Sequence, residues 1–279
     1  MTTTTTDRRT RRYLRPLLAL TFVVGVLAAC SPFPSVGTDF GGTGPFAVSV
    51  REDAAHWYYY PTDLGAAGRK HPVLLWGNGT FLNPIHYDGL LRHLASHGFI
   101  VAAAYTTNAG SGQEMLAGLD NLTAFNADPA SPFYRKVDLN RVGAVGHSQG
   151  GIGAMRAGAD PRVDVAVPIE GASASIPAPH GPTLYLAGEL DTLVPPAGIR
   201  AAYDATTGTP AAYAELRGAD HLVPLVTGNA FRAHVTAFLR WHLMGDAIAR
   251  DQFIGPCAYC SSTIWSAYET NPPMEALAP

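Results

Sequence analysis

The sequence predicts an α/β domain: a mostly parallel central sheet of about eight strands with helices on both faces. Three observations predict it. Short apolar runs rich in Val, Ile, Leu and Ala alternate with segments of helical period, the pattern of strands joined by crossover helices. Several of these runs end directly in glycine-containing turns. Beyond the amino-terminal 29 residues the chain has about 250 residues and no internal repeat, a length that one such sheet can organise.

The elements follow in order. Residues 46–51 and 56–60 alternate in polarity and read as an antiparallel ribbon, with Trp57, Tyr58, Tyr59 and Tyr60 as its packing aromatics. Central strands are expected at 73–76, 99–104, 142–145, 163–169, 183–187 and 212–216. Helices are expected at 84–96, 113–125, 149–159, 197–206 and 229–244. The folded domain therefore spans 46–250. The tail 251–279 wraps the body.

The most informative stretch is Gly146-His147-Ser148-Gln149-Gly150, between an apolar strand and a Gly/Ala-rich helix. A serine at a sharp strand-to-helix turn is held in a strained conformation with its hydroxyl projecting above the sheet, so Ser148 is the candidate nucleophile. Serine needs a general base, and the base needs an orienting acid. Asp191 lies just past the strand 183–187, in Gly188-Glu189-Leu190-Asp191. His221 lies on the loop after the strand 212–216. The gaps of 43 and 30 residues each suit one crossover unit, which brings all three loops to one end of a parallel sheet. Rival acids are Glu189 and Glu170; Asp220 reads as a turn former. His147 is expected to pack or hydrogen-bond locally. The remaining eight histidines read as solvated or partly buried.

Acyl transfer also needs donors for a developing oxyanion. The first is the amide of Gln149. The second lies in Gly77-Asn78-Gly79-Thr80-Phe81, after the first central strand, at Thr80 or else Phe81. Exposed Phe81 and Leu82, and also Trp265, are candidates to line an acyl site.

Together, Gly-Asn-Gly-Thr, Gly-His-Ser-Gln-Gly-Gly, Gly-Glu-Leu-Asp-Thr-Leu-Val-Pro-Pro and Gly-Ala-Asp-His resemble the α/β-hydrolase fold. Within it, the chain is similar to the dienelactone-hydrolase-like group, which includes cutinase-type polyester hydrolases and chlorophyllase-like esterases. The resemblance covers roughly residues 46–245. It implies a serine carboxylester hydrolase with no cofactor, no metal and an open, nearly lidless cleft. Polyester-degrading members carry Met after the nucleophile, an aromatic beside the oxyanion loop and a Trp after the next strand. Here those places hold Gln149, Thr80 with Phe81 one residue later, and Ile169-Glu170-Gly171-Ala172. An ester is therefore the expected substrate, with polyester as the alternative. The same triad also serves lipases, thioesterases, peptidases and acyltransferases. A surface-binding lipoprotein with an unused triad is the non-enzymatic alternative.

The amino terminus carries a second message. Arg8, Arg9, Arg11, Arg12 and Arg15 precede an apolar run from Leu17 to Ala29, too short to span a bilayer comfortably. Leu27-Ala28-Ala29-Cys30 resembles the lipobox of bacterial lipoproteins, in which the cysteine is lipidated. An ordinary secretory signal with a chance cysteine is the alternative, and twin-arginine export through Arg11-Arg12 is a variant. The expectation is export and anchoring on the outer face of the bacterial membrane through Cys30. Residues 30–45, rich in Pro, Gly, Ser and Thr, read as a flexible tether. The remaining cysteines, Cys257 and Cys260, are expected to pair in an exported chain as a short local staple. Without residues 1–29 the chain has 14 Lys and Arg against 21 Asp and Glu, net −7, which argues against nucleic acid as partner. A monomer is expected.

Overall fold

The computed structural model describes residues 1–3 and 33–278. The expected signal segment 1–29 and lipidation site Cys30 thus lie almost wholly outside the described residues. From residue 33 on, the chain folds around one sheet of nine described strands. They are β1 (Val48–Glu52), β2 (His56–Pro61), β3 (His71–Gly77), β4 (Ile100–Ala104), β5 (Val137–His147), β6 (Val165–Ile169), β7 (Thr183–Gly188), β8 (Ala211–Leu216) and β9 (Trp265–Thr270). Their order across the sheet is β1-β2-β4-β3-β5-β6-β7-β8-β9. The block from β4 to β8 is parallel, while β1, β2 and β9 pair antiparallel at the edges. The α/β class and the sheet's parallel character are as the sequence predicts.

The helices are α1 (Asp88–Ser96), α2 (Gln113–Ala127), α3 (Gln149–Ala157), α4 (Pro196–Asp204), α5 (Phe231–Met244), α6 (Ala247–Arg250) and α7 (Pro272–Glu275). A 3-10 turn, Pro84–Tyr87, leads into α1. Alternation along the strands sorts the core onto two faces. Leu74, Trp76, Val101 and Ala103 pack with Leu90, Leu94, Phe231 and Phe238 from α1 and α5. Their neighbours Val73, Leu75, Ile100 and Ala102 face the other way, onto Met115, Leu119 and Ala154 from α2 and α3. Successive strand side chains point to opposite faces, so near-continuous apolar runs are what a doubly covered sheet requires.

Two segments differ from expectation. From Phe33 on, the stretch read as a flexible tether is packed against the body: Phe33 and Phe40 are buried. Buried Arg240 donates to the carbonyl of Pro34, and Gly44 N–H donates to Ser96 Oγ. Its Gly, Pro and Ser content hid two aromatic anchors, too few to show a period. The tail does more than wrap. Residues 265–270 form β9 and cover the edge of β8, and Asn271 then caps α7 and accepts from Ala211 N–H. Trp265 is buried against His234, with ring centroids 4.1 Å apart, and so belongs to the packing of this edge rather than to an acyl site. Cys257 and Cys260 are joined by a disulfide just before this strand.

Candidate active site

The order of β4, β3 and β5 makes the sheet's switch point: the chain leaves β3 on one side to form β4 and returns on the other to form β5. Loops at the carboxyl ends of β3 and β5 therefore diverge and leave a crevice between them. Gly77 of β3 pairs with Gly146 of β5, which sets the loop 78–83 beside the turn at Ser148. Ser148 has φ 57° and ψ −122°, the strained turn the motif predicts. The turn is possible only with glycine around it. A Cβ on Gly146 would overlap the carbonyl of Gly150, and one on Gly150 would overlap the carbonyl of Gly77.

The three sequence-predicted residues meet. Ser148 Oγ lies 2.8 Å from Nε2 of His221, and His221 Nδ1 lies 2.6 Å from Oδ2 of Asp191. The serine hydroxyl is placed to donate to Nε2 while Nδ1–H donates to the carboxylate, which fixes the tautomer. Asp191 and His221 are buried. The other oxygen of Asp191 accepts the amides of Leu193 and Val194, each at 2.9 Å, so the loop itself satisfies the charge.

The rival residues separate. Glu189 turns away to accept the Gly218 amide at 2.7 Å. Asp220 accepts the Leu222 amide at 3.0 Å as a turn former. Glu170, by contrast, lies beside the triad, with Oε2 4.0 Å from His221 Nδ1.

Of the expected oxyanion donors, Gln149 is the first residue of α3, where an N–H has no intrahelical partner. Among the described residues no acceptor takes up the Thr80 amide, whereas Phe81 N–H donates to Thr107 O at 3.1 Å. That bond leaves Thr80 rather than Phe81 as the free amide of this loop. Asn78 is more than a turn former. It is buried, its amide donates to the carbonyls of Ala104 and Thr106, and it accepts from the Trp76 indole, which ties the loop to the end of β4.

Two residues outside the expected site, Tyr87 and His147, brace it. The hydroxyl of buried Tyr87 accepts Gly79 N–H at 3.1 Å and meets His147 Nδ1 at 2.8 Å. His147 Nε2 then reaches the backbone carbonyl of His221 at 3.0 Å. With the tyrosine donating to Nδ1, Nε2–H donates to that carbonyl. One side-chain relay thus connects the loop after β3, the Ser148 turn and the histidine loop. The expectation of local contacts for His147 is corrected: its partners lie 60 and 74 residues away. Burial, then the nearby His221, pushes its pKa down to about 3, so the ring is neutral. The position within Gly-His-Ser could have flagged His147; nothing in the sequence flags Tyr87. Most other histidines are also more enclosed than expected, with His56, His71, His93, His97 and His234 all buried.

Ligand atoms of His147, Glu170 and His221 lie within 4.8 Å of one another. Both rings are already engaged by Tyr87, the His221 carbonyl, Ser148 and Asp191, so a cation there would have to displace the relay and the triad.

Loops on the side of the sheet that carries these residues also expose apolar side chains. Phe81 is 84% exposed and Leu193 72%, and Ile85, Tyr105, Leu190, Leu222 and Val226 are exposed too. All sit on loops at the carboxyl ends of the strands or on the segments bracing them.

Comparison with known proteins places this geometry. A family described as PET hydrolase-like matches residues 30–273. A bis(hydroxyethyl) terephthalate hydrolase of Streptomyces coelicolor is 28% identical over 225 residues, 77% of this chain and 70% of the relative. Cutinase est1 of Thermobifida alba is 29% identical over 175 residues, 59% of this chain and 58% of the relative. Cutinase 2 of Thermobifida cellulosilytica is 28% identical over 233 residues, 77% of this chain and 86% of the relative.

Proposed function

The chain belongs to the PET hydrolase-like family of ester hydrolases, and from that premise we propose that it cleaves carboxylic esters through Ser148, His221 and Asp191. The observation that carries this reading is the hydrogen-bonded line from Ser148 Oγ through His221 to Asp191, at 2.8 and 2.6 Å. His221 takes the serine proton as Oγ bonds to the ester carbon. Asp191 holds the ring and stabilises the imidazolium. The amides of Gln149 and Thr80 meet the oxyanion. His221 then gives its proton to the leaving alcohol, and water, activated by the same ring, releases the acid and frees Ser148. The chemistry needs no cofactor.

The substrate is an ester with an apolar acyl part, which the exposed Phe81, Leu190, Leu193 and Leu222 would receive. The names of the relatives and the exposed apolar side chains on the neighbouring loops favour a second reading, in which terephthalate esters and polyester surfaces are the main substrates. Gln149 and the run Glu170-Gly171-Ala172 weigh against it, because they leave fewer aromatic and thioether contacts for a flat acyl ring. Export and lipid anchoring at Cys30 belong to the same proposal, as does action by a monomer. Replacing Cys30 by Ala should abolish incorporation of a labelled fatty acid.

A fluorophosphonate probe should label Ser148, and p-nitrophenyl esters should be hydrolysed. An active Ser148→Ala variant overturns the assignment, and an unlabelled wild type favours a surface-binding protein instead. Rates on p-nitrophenyl esters of rising chain length, on bis(hydroxyethyl) terephthalate and on a polyester film separate the two substrate readings.

A further inference from the structure

Beside the triad the structure buries a carboxyl that no hydrogen bond satisfies. Glu170 follows β6 directly and is 0% exposed, and among the described residues neither of its oxygens has a hydrogen-bond partner. Its place is set by the sheet. Ser148 N–H donates to the carbonyl of Ile169, and Glu170 N–H donates to the carbonyl of Leu186, so the side chain stands between the ends of β5 and β7. A Cβ on Gly188 would run into Oε1, so the carboxyl fills space that β7 leaves free. Oε2 lies 4.0 Å from His221 Nδ1 and 3.3 Å from His147 Nε2. The latter's proton is already directed at the His221 carbonyl.

The groups that face this carboxyl come from four elements: His147 at the end of β5, Asp191 after β7, Asp220 and His221 after β8, and Tyr87 before α1. None of them is a lysine or arginine. Burial, then the charges of Asp191 and Asp220, pushes the carboxyl up to about 9, which makes it neutral at pH 7. An apolar side chain would fill the same space without the cost of an unpartnered polar group. What a carboxyl adds here is a second acceptor at the edge of the ring that Asp191 already uses.

On the reading that Ser148, His221 and Asp191 form the triad, we propose that Glu170 is its reserve acid, a positioning residue that takes over the His221 Nδ1–H when Asp191 is lost. Losing Asp191 removes one of the charges that keep Glu170 protonated. Burial, the larger cause, remains, so the carboxyl releases its proton to water only as pH rises and then accepts Nδ1–H from His221. The serine proton still passes to Nε2 as Oγ bonds to the ester carbon, and Nδ1–H stays on the ring throughout.

The test is a cycle of wild type, Asp191→Ala, Glu170→Gln and the double variant, measured on a p-nitrophenyl ester across pH, with folding checked by thermal melting. Asp191→Ala should lose about 10²-fold in kcat rather than the roughly 10⁴-fold typical of a triad without its acid. Its rate should climb to higher pH than that of wild type, because a buried carboxyl must first ionise. The double variant should fall about a further 10²-fold. Equal kcat in Asp191→Ala and the double variant at every pH overturns the proposal. If Asp191→Ala does not fold, Asp191→Ser takes its place, since its hydroxyl can still accept a loop amide. Infrared spectroscopy reads the carboxyl directly: a protonated-acid carbonyl band at pH 7 should be present in wild type and absent in Glu170→Gln. Its absence in wild type also overturns the proposal. A wild type that neither turns over nor labels at Ser148 defeats the triad reading instead.

Discussion

Asp191 and Glu170 stand at the ends of neighbouring parallel strands, both buried and both within 4.0 Å of the same ring nitrogen. Only Asp191 is given hydrogen-bond donors among the described residues. Asp191 sits three residues past β7, in a loop that bends two amides onto Oδ1 and leaves Oδ2 for His221. Glu170 sits one residue past β6, where the backbone gives its side chain no donor. Asp191 Oδ2 reaches Nδ1 at 2.6 Å, whereas Glu170 Oε2 stays 4.0 Å away. The loop after β7 also supplies two N–H groups to its carboxyl, the hydrogen bonds that a buried carboxylate needs.

This contrast can be tested by removing its parts in turn. Ser148→Ala removes what both carboxyls serve, and kcat should fall about 10⁶-fold with the fold intact by circular dichroism. Asp191→Asn presents an amide where Nδ1–H must donate, which favours the wrong tautomer. Its kcat should fall about 10⁴-fold, further than in Asp191→Ala, where the edge of the ring is left to Glu170. Tyr87→Phe keeps the ring and removes the hydroxyl between Gly79 and His147. It should lower kcat about tenfold and stability by about 1–3 kcal/mol, measured by urea unfolding.

Glu170→Gln sharpens the comparison through pH. In the folded protein Glu170 holds its proton up to about 9, whereas in the unfolded chain it releases it near the ordinary carboxyl value of 4.5. Across that window the folded state binds more protons, so wild-type stability should decline as pH rises, by up to about 1.4 kcal/mol per pH unit for this group. The Gln variant should lack that slope. His147 acts in the opposite sense: its lowered pKa means that protonation of the unfolded chain erodes stability as pH falls below 6.5. The smallest effect belongs to the tail. Cys257→Ser opens a four-residue loop and should cost at most about 2 kcal/mol in thermal unfolding, with kcat unchanged.

Much of the chemistry is legible in the chain because it rests on local rules. The turn at Ser148 is written in glycines whose absent Cβ atoms let three backbones converge. Asp191 and His221 are found by counting strand ends. The free amide of Thr80 follows from its place after β3. What stayed hidden depends on partners far apart in sequence. His147 and Tyr87 are 60 residues apart, and only the closed sheet makes them neighbours. The strand β9 looked like tail because its alternation is short and follows a stretch rich in Gly, Pro and Cys. The packed segment after residue 33 looked like linker because its two aromatics are too few to show a period.

The sequence by itself therefore determined the class of fold, and it set the candidate serine, acid and base in order, since each follows from strand periodicity and crossover length. It favoured Asp191 and left Glu189 and Glu170 as rival acids. Only the tertiary structure decided between them, because the deciding amides of Leu193 and Val194 are aimed by the path of a loop, and the burial that keeps Glu170 neutral comes from the strands and loops packed around it.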